Sequence, residues 1–300
     1  MSTMRAILIL FKDAIKAYLG DRSVMYAAGL AYYAVFAIAP LLVFVVSIAG
    51  LFIGRADARL QITAQVQYLV GPQLAELLGE LEAKIKERTF STGCTLLSIL
   101  GLLLSGAGIF SQLDKALNDI WGLKPLKPAN MGERVILLRH KSMPYIVVFF
   151  LGFLLSSSVL LDTAVATVAG RLARFLPQIN QILPHISRLA IPLLAFSTFT
   201  VILKWLPEAR SRWRDVAVGG LVTTLLFLIG RLLLLYYLEG SDTVSLFGAV
   251  GSIVILLLWV YYSAQIVLFG AEFTKLYADR FGQPITPRRL AMFEDGPAGA

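Results

Sequence analysis

Few residues in this chain could do chemistry, and those few sit in unusual company. In the stretch LLLWVYYSAQIVLFGAEFTKLYADRFG, residues 256–282, Tyr262, Gln265, Phe269 and Glu272 are spaced three, four and three apart. That spacing places them on one face of a helix. An aromatic ring, an amide, a second ring and a carboxylate make a face unsuited to lipid tails. Ionisable groups inside apolar runs are costly and turn towards a protein interior or a wet cavity. The other reading open to Glu272 is a place at the membrane interface, beside Lys275 one turn on.

A comparable face carries Gly29, Tyr33, Phe36 and Pro40, spaced four, three and four. Pro40 frees the carbonyl of Phe36, which must then find a donor on another helix or in water. A kinked, aromatic-lined helix suits an amphipathic pocket, and it equally suits plain packing. Arg231 is the one basic residue deep within an apolar run, and Asp162 closes another. Rise along the two helices brings Asp162 and Arg231 to similar depth near the outer leaflet, where an intramembrane ion pair is expected. The alternative is an arginine that snorkels to the surface.

Metal and nucleophile chemistry has little to work with. The only histidines are His140 and His185, on opposite expected sides of the membrane, and Cys94 is the only cysteine. No HExxH, HxxxH or paired-cysteine spacing occurs, so no metal site, cofactor or catalytic residue is expected. The Gly-rich piece at residues 104–108 lacks the Lys-Ser/Thr of a phosphate loop and reads as close helix packing. The chain is therefore not expected to be an enzyme.

The elements that hold these residues are membrane helices. With 57% hydrophobic and 15% charged residues and a mean hydropathy of +0.74, the 300-residue chain departs far from soluble composition. Long apolar runs lie near residues 24–53, 92–110, 143–161, 187–206, 215–238 and 246–276. Each is long enough for a hydrocarbon core that takes roughly 20 helical residues. The expected fold class is all-α: a single polytopic domain over residues 1–282 with about six transmembrane helices and amphipathic surface helices. Continuous runs without alternation favour helices over a β-barrel. No cleavable signal peptide is evident, because the first run is too long for one.

The net charge of +8 is read as the basic flank of membrane loops and not as a nucleic-acid site. Eighteen of the 27 Lys and Arg fall in the N-terminus, the second loop, the fourth loop and the tail. Both termini are therefore expected to be cytoplasmic. Ile7, Leu8, Phe11, Ile15, Tyr18 and Leu19 form a stripe beside Lys12 and Lys16, suiting an interfacial helix. Similar stripes occur at residues 74–85 and 172–179, where packing on the bundle is the equal alternative. The tail from Gln283 to Ala300, rich in Pro and small residues, is expected to be disordered. Pro40 and Pro192 in the first and fourth runs only faintly echo an inverted repeat.

Several motifs, in order along the chain, resemble the YihY/BrkB family of bacterial inner-membrane proteins. They are Ala27-Ala28-Gly29-Leu30-Ala31-Tyr32-Tyr33 with Ala39-Pro40-Leu41-Leu42, and Ala116-Leu117-Asn118-Asp119-Ile120-Trp121-Gly122. Leu206-Pro207 with Trp213-Arg214 follows, then Leu257-Leu258-Trp259-Val260-Tyr261-Tyr262 leading to Gly270-Ala271-Glu272. Gly219-Gly220 stands where the family often has Gly-Ala, and Phe247 where Tyr is usual. The resemblance implies a six-helix inner-membrane protein but no established activity. Family members have been labelled ribonuclease BN or virulence factors, and transport has been suggested. A nuclease finds no support in these residues.

Two function classes remain. One is a transporter-like protein that binds or moves an amphipathic or lipid-like molecule. The other is a structural or assembly protein whose polar groups only fix helix packing. Membrane lipid, a lipid-like substrate and a second copy of the chain are the compatible partners, and nucleic acid is not expected.

Overall fold

The computed structural model describes residues 3–37, 60, 106, 108–125, 131, 179–239, 243–288 and 291–293. These residues are mostly helical. Helix α1 is Thr3–Gly20 and α2 is Ser23–Ala37. Helix α3 covers residues 108–120. Then come α4, Ile179–Trp205, α5, Trp213–Glu239, and α6, Thr243–Phe281. Four short strands complete the set: β1, Leu123–Pro125, β2, Ala209–Arg210, β3, Thr286–Pro287, and β4, Ala291–Phe293.

Local sequence explains the breaks. Pro207 follows the end of α4 and cannot continue it. Asp215 lies in the first turn of α5, where a carboxylate favours the positive helix end. Gly20 ends α1, and the amide of Asp21 donates to the Ala17 carbonyl at 3.0 Å.

Helices α5 and α6 approach each other through reciprocal glycine and threonine contacts. Gly219 faces the hydroxyl of Thr274, and Gly270 faces that of Thr223, so a methyl group at either glycine would collide with the threonine. Each hydroxyl bonds back along its own helix, Thr223 Oγ1 to the Gly219 carbonyl at 2.8 Å and Thr274 Oγ1 to the Gly270 carbonyl at 2.6 Å. Small residues thus let two backbones meet while both polar side chains stay satisfied, the usual solution for helix contact in a bilayer.

The opposite side of α5 is apolar and bare. Leu221, Leu225, Ile229, Leu232 and Tyr236 recur every three or four residues and are all exposed. Two described segments are long and apolar enough to cross a membrane, Trp213–Leu234 of α5 and Val254–Phe281 of α6. Only 39% and 44% of their most apolar stretches are buried against protein, whereas the core helix of a soluble protein would be buried almost throughout. The shorter segments Ser23–Ala37 and Pro192–Trp205 are also apolar.

The expected runs 187–206, 215–238 and 246–276 coincide with α4, α5 and α6. Of the other three, 143–161 lies outside the described residues, as do the amphipathic stripes at 74–85 and 172–179 and most of 24–53 and 92–110. Among the described residues, therefore, two helices are long and apolar enough to cross a membrane, where about six were expected along the whole chain.

The described part of the tail, residues 283–288 and 291–293, differs from expectation, and residues 289–290 and 294–300 lie outside the described residues. Instead of disorder from Gln283, β3 pairs antiparallel with β2 and β4 with β1. Composition misleads here because prolines are tolerated at the ends and edges of very short strands. What holds the segment is tertiary: Ile285 is buried in the main core, and the Gln283 amide donates to Asp215 Oδ2 at 3.2 Å.

Candidate functional site

The polar residues converge where the C-terminal half of α6 meets the ends of α1 and α3, the start of α2, the α4–α5 turn and the tail. Trp121, 2% exposed, closes α3 and donates its indole Nε1–H to the Ala271 carbonyl of α6 at 3.2 Å. Lys275, one turn along α6, donates its ammonium to the Ile120 carbonyl at 2.7 Å. That carbonyl is one of those a helix end leaves without an internal partner. The chain can turn here because Gly122 adopts φ +67°, the left-handed conformation that glycine tolerates at a helix end.

Asn118 ties α3 to the α4–α5 turn. Its Oδ1 accepts the Glu208 amide at 2.8 Å, and its Nδ2 donates to Asp114 Oδ1 at 2.9 Å. On the outer flank of α3, the Tyr26 hydroxyl of α2 donates to Asp119 Oδ2 at 3.0 Å. The tail completes the enclosure, with the Arg288 amide donating to the Glu208 carbonyl at 3.1 Å and Arg288 Nε donating to the Ala209 carbonyl at 3.0 Å.

Electrostatics at this end are set by burial. Desolvation pushes the Asp114 carboxyl up to about 7, the nearby Glu208 adds to the rise, and the Asn118 hydrogen bond and Lys115 oppose it. Glu208 is also raised by burial, against the pull of Arg288. Two partly dehydrated acids thus lie close to each other, with the Arg288 guanidinium acting on Glu208.

Glu272 sits deeper. It is 2% exposed, and its carboxyl lies within hydrogen-bonding reach of the Asp21 carboxyl at the α1–α2 turn, with Lys275 nearby. Its Oε1 has no hydrogen-bond partner among the described residues. Ser23, two residues beyond Asp21, is fully buried with its hydroxyl in the same condition. Lys275 is thus hydrogen-bonded to α3 and attracts Glu272 only through space.

The four residues expected to share a face of α6 lie in different surroundings: Glu272 is buried, and Tyr262, Gln265 and Phe269 are half-buried. Tyr262 fits against Gly230 of α5, its hydroxyl 3.4 Å from the Leu226 carbonyl. Gln265 is half-buried. Phe269 meets Tyr18 of α1, ring centroids 6.0 Å apart. Tyr33 lays its ring against Gly108 of α3. Arg231 is half-buried on α5, whereas Asp162 and Pro40 lie outside the described residues. Asp21, Asp114 and Glu208 are the residues that sequence reasoning missed. The spacing of Asp114 and Asn118, four apart on one helix face, was the available signal for that pair. Among the described residues, no three His, Cys, Asp or Glu come together as a metal site.

A family profile described as virulence factor BrkB matches residues 14–293. The chain is 27% identical over 276 residues to a UPF0761 membrane protein of Alteromonas mediterranea, covering 91% of this chain and 88% of that one. A UPF0761 membrane protein of Glaesserella parasuis is 24% identical over 225 residues, 73% and 75% of the two chains. Another, of Verminephrobacter eiseniae, is 31% identical over 186 residues, which is 61% of this chain and 42% of the relative. No solved structure matches.

Proposed function

This chain belongs to the BrkB family of membrane proteins, and from that premise we propose that it is a transporter-like protein of the inner membrane that binds or moves an amphipathic, lipid-like molecule. The observation that carries this reading is Glu272. A carboxyl group kept almost wholly buried on an apolar helix, with one oxygen unpartnered among the described residues, is a poor device for packing alone. Structural polar groups in such places are hydrogen-bonded throughout, and ionisable residues within spans mark substrate or ion paths. A cargo with a polar head and an apolar body would satisfy the carboxyl and match the aromatic rings of Phe269 and Tyr18 beside it.

A second reading has its own support. Asn118, Trp121 and Lys275 are all engaged in bonds that join helix ends, as a structural or assembly protein would require. Native mass spectrometry of gently purified full-length protein separates the two. One specific lipid-like molecule bound per chain supports transport-type binding. Its absence across several detergents supports the structural role.

No ribonuclease activity is expected of the pure protein, because a metal-dependent nuclease needs several ligands converging at one depth. Metal-dependent RNA cleavage that survives rigorous purification and vanishes in the Glu272→Gln variant would overturn this.

A further inference from the structure

Helix α1 presents two unlike faces. One is locked to the bundle: Leu10 and Ala14 are fully buried, and Phe11 packs on Phe273 of α6 with ring centroids 4.9 Å apart. The other is bare and apolar, with Leu8 64%, Ile15 50% and Leu19 72% exposed. Arg5, Lys12 and Lys16 are exposed among them. At about 100° per residue, all six fall within an arc of roughly 100°. Asp13, the only acid on α1, lies well round the helix from that arc and pairs with Arg280 at 2.8 Å.

We propose that this face of α1 docks on anionic phospholipid headgroups, its leucines and isoleucine dipping below the phosphates and its three cations lying among them. Charge complementarity selects this occupant. A second copy meeting the same face would bring six cations together with no acid between them, and a neutral apolar partner would leave three cations without counter-charge. An anionic bilayer surface answers both the apolar and the basic residues. The long stems of Lys and Arg let the charge rise while the carbon chain stays among lipid tails. The proposal stands apart from the transport reading, since it concerns the protein's seat in the membrane and not its cargo.

The test uses full-length protein in nanodiscs of phosphatidylcholine alone or with added phosphatidylglycerol. A fluorophore on Leu19→Cys, in a Cys94→Ser background, reports depth through quencher-bearing lipids. Native mass spectrometry after release from mixed-lipid discs counts retained phosphatidylglycerol. The expected result is a lipid-quenched label and a loss of phosphatidylglycerol retention of about tenfold or more in Lys12→Glu/Lys16→Glu, at roughly fivefold per surface charge. Lys12→Arg/Lys16→Arg retains the lipid. Equal retention in the charge-reversed protein would overturn headgroup recognition even if the label is quenched. A label that is water-exposed, or self-quenched between two copies, would overturn the docking altogether.

Discussion

Asp114 carries the clearest pH dependence in the cluster. Its folded pKa, near 7, lies above its ordinary value of 3.8 because burial and Glu208 disfavour the charge. An acid raised in this way binds more protons when folded, so its contribution is fully present below about pH 4 and is lost as pH rises towards 7. Asp114→Asn removes that dependence while still accepting the Asn118 hydrogen bond. In detergent, the variant is expected to gain about 1–3 kcal/mol relative to wild type between pH 5 and pH 8. Parallel melting curves for the two proteins across that range would contradict it. Trp121→Phe keeps an aromatic ring but loses the bond to Ala271, and a loss of about 1–2 kcal/mol follows, read as a lower unfolding midpoint. The periodicity of Tyr262, Gln265 and Glu272 was legible because it is local. The partners of Asn118 and Glu272 were not, since Glu208 and Asp21 lie 90 and about 250 residues away in the chain and only the fold brings them together.

The α5–α6 contact is the element-level feature most open to attack. Gly270→Ala drives a methyl group into Thr223, and Gly219→Ala does the same to Thr274. Each is expected to lower stability by about 2 kcal/mol or more, as overpacking of a tight interface does. Adding Thr223→Ala to Gly270→Ala clears the colliding hydroxyl, so the pair should melt above Gly270→Ala alone. A double variant no better than the single one would show that the helices do not meet there. Sequence placed α4, α5 and α6 well because apolar runs of this length have few other structures open to them. It missed β3 and β4 because strands of two or three residues carry no periodic signal. Their pairing rests on Ile285, Gln283 and Arg288 finding partners on distant segments.

Across the whole molecule, the segments that positive charge assigns to one side lie together. The tail pairs with the segment after α3 through β4 and β1 and with the α4–α5 turn through β3 and β2, and Arg280 reaches Asp13 of α1. Single cysteines at Lys16, Lys124 and Arg210 in a Cys94-free chain should all be labelled from the cytoplasmic face, and one at Gln73 from the other. Labelling of Lys16 and Lys124 from opposite faces would break both the charge argument and the fold. This convergence also explains why the motifs that resemble the family, far apart in sequence, belong to one cluster. Asn118, Trp121, Leu206, Ala271 and Glu272 meet at a single end of the bundle.

Central to this account is that Glu272 is held buried for a ligand and not for packing. The most direct measurement compares the occupancy of a co-purified lipid-like molecule, by native mass spectrometry, in wild type, Glu272→Gln and Trp121→Phe, beside their unfolding midpoints. Glu272→Gln is expected to lose about tenfold in occupancy, the value of one buried hydrogen bond, with little change in midpoint. Trp121→Phe should show the reverse, a lower midpoint with occupancy kept in the folded protein. Unchanged occupancy in Glu272→Gln, or a midpoint that falls as far as that of Trp121→Phe, would contradict it and return the carboxyl to a structural role.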